Sequence, residues 1–262
     1  MSTLRSSLQS PGLFKLLSHD LRWGIVSLLA KSDYSGQELI RFLKQPQNLI
    51  SYHLKLLLAQ HLIKERRNNA DERSIYFSLD LETLRSLYIA SGAALHPGLS
   101  LCTDPSATVP EHLLSSEKPV RVLFLCTQNS ARSQMAEGLL RTLSHERIEV
   151  TSAGSHPAVL HPMAIQAAAM LGIDISQQHA KSLDAFVDQS FDYVITVCDR
   201  VREACPAFPG APEQIHWSFP DPDQVEGTEE ERLYAFEQIA QQLSIRIRYL
   251  LLLIEQEQKQ KK

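Results

Sequence analysis

Along the first ninety or so positions, apolar residues recur at intervals of three and four. Farther on they come in short continuous runs, each followed by another helical interval. The first texture predicts helices over 12–31 and 35–61. Proline is tolerated in a first helical turn but not in an interior, so Pro46 divides the second span. "GQELIRFLK" and "QNLISYHLKLLLAQHLI" then read as two helices joined by a tight turn. "LIKERRNN" and "RSIYFSLD" alternate around the turn-forming "NNAD" and predict a hairpin over 64–79 that carries Lys64, Arg66, Arg67 and Arg73. A helix over roughly 81–94 closes the region. Residues 96–118, rich in Pro, Ser and Thr and without periodicity, read as a linker.

Beyond residue 118, "VRVLFL" is a continuous apolar run of the kind found in a parallel strand covered on both faces. A helix over 133–145, a strand over 148–152, a helix over 162–171, a strand over 192–197 and a helix over 228–255 follow. That alternation predicts a doubly wound α/β domain with a parallel sheet. The expected organisation is multidomain. An all-α, winged helix-turn-helix domain spans 1–95, a linker 96–118, the parallel-sheet domain 119–256 and a charged tail 257–262.

A chain of 262 residues is comfortable for two domains. Residues 1–97 carry 12 Lys and Arg against 8 Asp and Glu, and the remainder 14 against 22. A basic front and an acidic back suggest two jobs, one of them on nucleic acid. No segment approaches the ~18 consecutive apolar residues of a membrane span, and the start lacks the layout of a signal peptide. A cytoplasmic protein with no membrane partner is expected. In that compartment Cys102, Cys126, Cys198 and Cys205 are reactive, metal-binding or inert rather than structural disulfides. His156 and His161 sit five apart around prolines and are not read as a metal site.

In the front half, "QNLISYHLKLL" presents Gln47, Asn48, Ser51, Tyr52 and Lys55 around an apolar face of Leu49, Ile50, Leu54 and Leu57. Amides can read base edges, while hydroxyls and lysine suit phosphates, as would Arg66 and Arg67 on the hairpin. The bland alternative is a small helical domain with a solvated basic face. "SHDLRWGIVSLLA", "QNLISYHLKLLLAQHLI" and the basic hairpin resemble the ArsR-type homodimeric repressors over residues 10–95. The resemblance implies operator DNA as partner, with helix 46–60 in the major groove, the hairpin as a wing and a homodimer formed through this domain. That family often senses metals or arsenite through cysteines in the preceding helix. Here that helix is "GQELIRFLK", and residues 1–101 hold no cysteine, so the usual inducer site is not carried over.

In "CTQNSARS" a strand ends at Cys126 and a helix begins near Arg132. The loop between them, Thr127, Gln128, Asn129, Ser130 and Ala131, would turn its N–H groups inward and form an anion cradle with the helix start. Arg132 adds a planar fork matched to a tetrahedral oxyanion. The positive surroundings are expected to lower the Cys126 thiol and keep it a nucleophilic thiolate. Ser133 and Asn129 are placed to hydrogen-bond the thiolate or hold the loop's shape. Asp221, in the stiff "FPDPD", can protonate a leaving oxygen. If 198–205 were helical, Cys198 and Cys205 would stand about 10.5 Å apart. A disulfide needs roughly 4.4–6.8 Å between Cα atoms, so bonding them would require unwinding.

"VLFLCTQNSARSQMAEGLLR", "SAGSHP", "GIDIS", "FDYVITVCD", "EACPAFPG" and "FPDP" together resemble the thioredoxin-coupled arsenate reductases, which share the low-molecular-weight tyrosine phosphatase fold, over about 119–255. The resemblance implies arsenate as substrate, thioredoxin as electron donor and no bound cofactor or metal. It also implies roles: Cys126 attacks arsenic, Arg132 and the loop hold the oxyanion, and Asp221 protonates the departing oxygen. Disulfides then pass from Cys126–Cys198 to Cys198–Cys205. Gln128 stands where the family often has glycine. Asn129, Glu137 and Ser152 match ligands of a potassium site found in some reductases, but Lys181 stands in place of a carboxylate, and its ammonium is expected to replace the ion. One alternative is a regulator whose reductase-like domain only senses arsenic or redox state. Another is a tyrosine phosphatase, which needs neither Cys198 nor Cys205 and often flanks its acid loop with tyrosines that "FPDPDQVEG" lacks.

Overall fold

The computed structural model describes residues 12–68, 74–96, 119–203 and 205–260. Arg73, Cys102 and nearly all of the expected linker lie outside the described residues. The chain divides into two compact units, Met1–Ala107 and Thr108–Lys262.

In the first unit the helix expected over 12–31 is two helices, α1 (Gly12–Leu17) and α2 (Asp20–Leu29). The break falls at Ser18–His19. Ser18 Oγ bonds back to the Lys15 carbonyl, and the extended His19 accepts the Leu21 N–H on Nδ1 at 3.2 Å. A side chain that captures a first-turn N–H starts a new helix even where the apolar period reads straight through. Helix α3 (Gly36–Leu43) opens on a capping box, in which Ser35 Oγ accepts from Glu38 N–H and the Glu38 carboxylate accepts from Ser35 N–H. It stops at Lys44, whose φ of 51° is left-handed, and Pro46 caps α4 (Gln47–Ala59).

Helix α4 buries Ile50, His53, Leu54 and Leu57 and exposes Gln47, Asn48, Ser51, Tyr52 and Lys55. Strands β1 (Tyr34–Ser35), β2 (Ile63–Arg67) and β3 (Ile75–Leu79) form an antiparallel sheet in the order β1-β3-β2. The two-residue β1 is too short to leave an alternating signature in the sequence. Arg67 is exposed, whereas Arg66 is half-buried and donates to the Arg67 carbonyl. Helix α5 (Leu81–Leu95) is capped by Asp80, which accepts the Thr83 N–H at 2.9 Å. Ile25, Leu39, Ile50, Leu57 and Leu62 are the centre of this unit's core.

The second unit alternates strand and helix. Its elements are β4 (Val120–Cys126), α6 (Arg132–Leu143), β5 (Ile148–Gly154), α7 (Pro162–Met170), β6 (Tyr193–Thr196), α8 (Asp199–Glu203), β7 (Glu213–His216) and α9 (Glu229–Gln260). The sheet is parallel, in the order β5-β4-β6-β7. Helix α8 and strand β7 were not expected; each is four or five residues long and largely polar. Helix α9 runs to Gln260, through most of the expected tail, because Glu, Gln and Lys are good helix formers.

The first strand lies inside the sheet, with the second on one side of it and the third on the other. Such a reversal opens a crevice beyond the carboxyl end of the central strand, where ligands of open α/β sheets bind. Cys126 is the last residue of that strand. Val122, Leu123, Phe124 and Leu125 are wholly buried, and α6 packs against β4, β5, α7 and α9. Enclosed that far, α6 carries Arg132, Ser133, Gln134 and Glu137 into the interior, where each needs a partner. Among the described residues no helix is long and apolar enough to cross a membrane.

Candidate active site

The turn from β4 to α6 is held from outside by three carbonyls. Thr127 O accepts from His156 N–H at 2.8 Å, Gln128 O from Ala158 N–H at 2.9 Å and Ser130 O from His161 N–H at 2.9 Å. In a planar trans peptide the N–H points opposite the C=O, so the N–H groups of Gln128, Asn129 and Ala131 turn inward. Asn129 N–H meets the Cys126 sulfur at 3.1 Å. Asn129 has a φ of 49°, a region asparagine tolerates better than most residues. Gly154, at the end of β5, permits the close approach: a Cβ there would lie 2.7 Å from Thr127 O and 2.8 Å from Asn129 N. Gln128, where glycine was the family habit, has its side chain exposed.

Beneath the loop the buried polar groups pair in a chain. Asn129 Nδ2 donates to Ser133 Oγ at 2.9 Å and to Ser152 Oγ at 2.8 Å, while its Oδ1 accepts from Lys181 N–H at 2.7 Å. Ser152 Oγ donates to Glu137 Oε2 at 2.6 Å. Lys181 Nζ lies 3.1 Å from the same oxygen, and Arg141 pairs with the other. Gln134 Nε2 donates to the Asn129 and His179 carbonyls.

Ser133 Oγ stands 2.8 Å from the Cys126 sulfur. Arg132, almost fully buried, donates from Nη1 to the Phe219 carbonyl at 3.2 Å and pairs through Nη2 with Asp221 Oδ2 at 3.0 Å. Arg132, at the start of α6, therefore ties the Cys126 loop to the turn that carries Asp221. The thiol departs from the sequence expectation. Burial pushes Cys126 above its ordinary range, and Cys198 adds to the rise, against the opposing pull of Arg132 and of the Ser133 hydrogen bonds.

Among the described residues the three cysteines are free thiols. Leu125 pairs with Thr196 across β4 and β6, so Cys126 and Cys198 leave neighbouring strand ends. The buried Cys198 sulfur lies 3.3 Å from Thr127 Oγ1 of the loop. Cys205 follows α8 and is half-buried, and burial pushes its thiol up to about 11.

A buried group that the sequence reading missed anchors α8. His216, ending β7, sits 2.8 Å from Thr196 Oγ1 through Nδ1 and 3.2 Å from Asp199 Oδ1 through Nε2, and Ser218 Oγ donates to the same oxygen at 2.8 Å. Asp199 directly follows Cys198 and opens α8, so this cluster fixes the chain immediately after the second thiol. Among the described residues no group of three or more His, Cys, Asp or Glu gathers to hold a metal ion.

The model of the family described as low molecular weight phosphotyrosine protein phosphatase matches residues 121–262. An arsenate reductase of Halalkalibacterium halodurans is 39% identical over 127 residues, 48% of this chain and 91% of that protein. One from Bacillus subtilis is 37% identical over the same shares. A solved arsenate reductase in its oxidized state is 33% identical, with a TM-score of 0.45, covering 51% of this chain and 98% of that one. The match to the family runs through the strand ending in Cys126, the loop, the acid turn and α9, more than half the chain. The chain belongs to the low molecular weight phosphotyrosine protein phosphatase family.

Proposed function

We propose that the second unit reduces arsenate to arsenite by passing a disulfide from Cys126–Cys198 to Cys198–Cys205, with thioredoxin as the reductant. One observation carries the reading. The loop that holds Cys126 also touches the Cys198 sulfur through Thr127, so a second thiol waits beside the first. The curated relatives matched above are arsenate reductases and support the choice of substrate. Phosphate-ester hydrolysis would use Cys126, Arg132 and Asp221 and leave both other thiols idle.

Arsenate would bind against the inward N–H groups and Arg132. The Cys126 thiolate attacks arsenic(V), and an oxygen leaves as water with the proton of Asp221. The Cys198 thiolate then attacks the Cys126 sulfur. The sulfur–arsenic bond breaks with its electron pair on arsenic, which departs as arsenic(III). Two thiols have thereby given two electrons and formed one disulfide. Cys205 next attacks Cys198, Cys126 leaves as thiolate, and thioredoxin reduces the Cys198–Cys205 bond. Product analysis tests this: the purified chain with thioredoxin, thioredoxin reductase and NADPH yields one arsenite per NADPH oxidised. NADPH loss without arsenite contradicts it.

Lys181 and Arg141 both sit on the Glu137 carboxylate. A further cation would meet their repulsion, so these residues do not fit a potassium ion. The Lys181 ammonium does an ion's work there, compensating Glu137 beneath Asn129 and Ser152.

We further propose that the first unit is an ArsR-type winged helix that binds operator DNA as a homodimer. The exposure of Gln47, Asn48, Ser51, Tyr52 and Lys55 on one face of α4, with β2 and β3 behind it, supports this. Gln47 and Asn48 would read base edges, and Lys55, Arg66 and Arg67 would meet phosphates. Binding of the chain's own promoter region, measured against salt, tests it. Removing Lys55 and Arg67 together takes two phosphate contacts from each protomer of the dimer and lowers the salt slope by about 3.6. Promoter and random duplex bound equally by the wild-type chain would contradict an operator-binding role.

A further inference from the structure

We propose that His161 and Asp223 form a positioning bridge that holds the acid turn over the oxyanion loop, a role resting on the arsenate chemistry proposed above. His161 touches three elements at once. Its N–H donates to Ser130 O on the outer face of the loop at 2.9 Å. Its ring Nδ1 accepts the Met163 N–H at 3.2 Å and caps α7. With Nδ1 an acceptor, the neutral ring carries its proton on Nε2, 3.2 Å from Asp223 Oδ1. The ring lies nearly flat on Phe236 of α9, 4.5 Å between centroids and 20° between planes, which fixes its direction.

Asp223 belongs to the 3-10 turn Pro222–Gln224 that immediately follows Asp221. The Gln224 N–H closes back on the Asp221 carbonyl at 3.3 Å, so the two carboxylates move as one unit. Arg232 of α9 also pairs with Asp223 Oδ1, at 3.5 Å. The turn is thus held from two sides, by Arg132 on Asp221 and by His161 on Asp223. Only one of these holds can persist through the reaction. An arriving oxyanion competes for Arg132, and Asp221 must aim its proton at the leaving oxygen instead. The His161 bridge then keeps the acid turn from swinging away while Asp221 lets go of Arg132.

The test uses the reduced full chain and four variants. His161→Asn keeps a cap for α7 but cannot reach Asp223. Asp223→Ala removes the acceptor, the third variant combines both changes, and Arg232→Gln removes only the outer contact. The first readout is the iodoacetamide alkylation rate of Cys126, followed by peptide mass spectrometry, which needs no turnover. Each of the first two variants speeds alkylation about threefold to fivefold, the double variant no more than either, and Arg232→Gln less than twofold. The second readout is arsenate turnover, in which kcat falls by a similar factor while KM stays within about twofold. Alkylation rates equal to wild type, effects that multiply in the double variant, or Arg232→Gln matching the others would overturn the bridge. A wild-type chain without arsenate turnover but with this alkylation pattern would sink the reduction reading and leave the bridge standing.

Discussion

Ser133 Oγ lies 2.8 Å from the Cys126 sulfur and accepts a hydrogen bond from Asn129 Nδ2. With one lone pair taken by the amide, the hydroxyl proton is free to point at sulfur. It becomes a charge-assisted donor once the thiol ionises. Ser133→Ala therefore raises the Cys126 thiol further and slows its alkylation at neutral pH about 10- to 100-fold, from a hydrogen bond to a charged group worth roughly 1.5–3 kcal/mol. The rate-against-pH curve moves toward higher pH. An unshifted curve would mean that Asn129 N–H and Arg132 alone stabilise the thiolate.

Gly154→Ala places a methyl 2.7 Å from Thr127 O and 2.8 Å from Asn129 N, both backbone atoms that cannot step aside. The loop must lift off β5, which misdirects the inward N–H groups. Turnover falls by about 100-fold, the order of losing one oxyanion donor, while the melting temperature drops by only a few degrees. Full activity in this variant would show that the loop tolerates a shift.

How much of this was legible in the sequence depends on the range of each interaction. Strand β4 and α6 announced themselves because an apolar run and a helical period flank "CTQNSARS". Cys126, Arg132, Asn129 and Ser133 could be placed from that local frame, and the structure brings them together with Asp221. Helix α8 and β7 were invisible, being too short for any period to repeat. Beyond its not being a metal ligand, nothing in the sequence marks His161, since its partners Ser130, Asp223 and Phe236 come from three distant segments. The direction of the Cys126 shift differs for a related reason: Arg132 stands six residues away in sequence, but the burial that outweighs it, and Cys198, which adds to the rise from 72 residues away, do not show in that local stretch.

Cys205 offers a pH dependence. Burial lifts its thiol from 9.0 to about 11 because the charged form is disfavoured in the fold. Its alkylation in the native chain stays slow at neutral pH and climbs only as pH rises toward 11. The sign for stability follows: the unfolded thiol ionises first, so stability is constant below the ordinary cysteine range and declines as pH rises from 9 toward 11. Comparing Cys205 alkylation in the native and urea-unfolded chain across that range checks this. A native curve with the unfolded midpoint would contradict it.

Glu137 already carries Lys181 and Arg141. Arsenate turnover is therefore the same in potassium and sodium buffers of equal ionic strength. A clear potassium requirement would show that Lys181 does not take the ion's place.

The most direct test of the central claim is the Cys205→Ser variant, mixed with arsenate and excess thioredoxin system while arsenite release is counted. A relay predicts close to one arsenite per chain and then a halt, with a Cys126–Cys198 disulfide found by mass spectrometry, against steady release by the wild-type chain. Sustained turnover by the variant at the wild-type rate would contradict the relay and remove Cys205 from the chemistry.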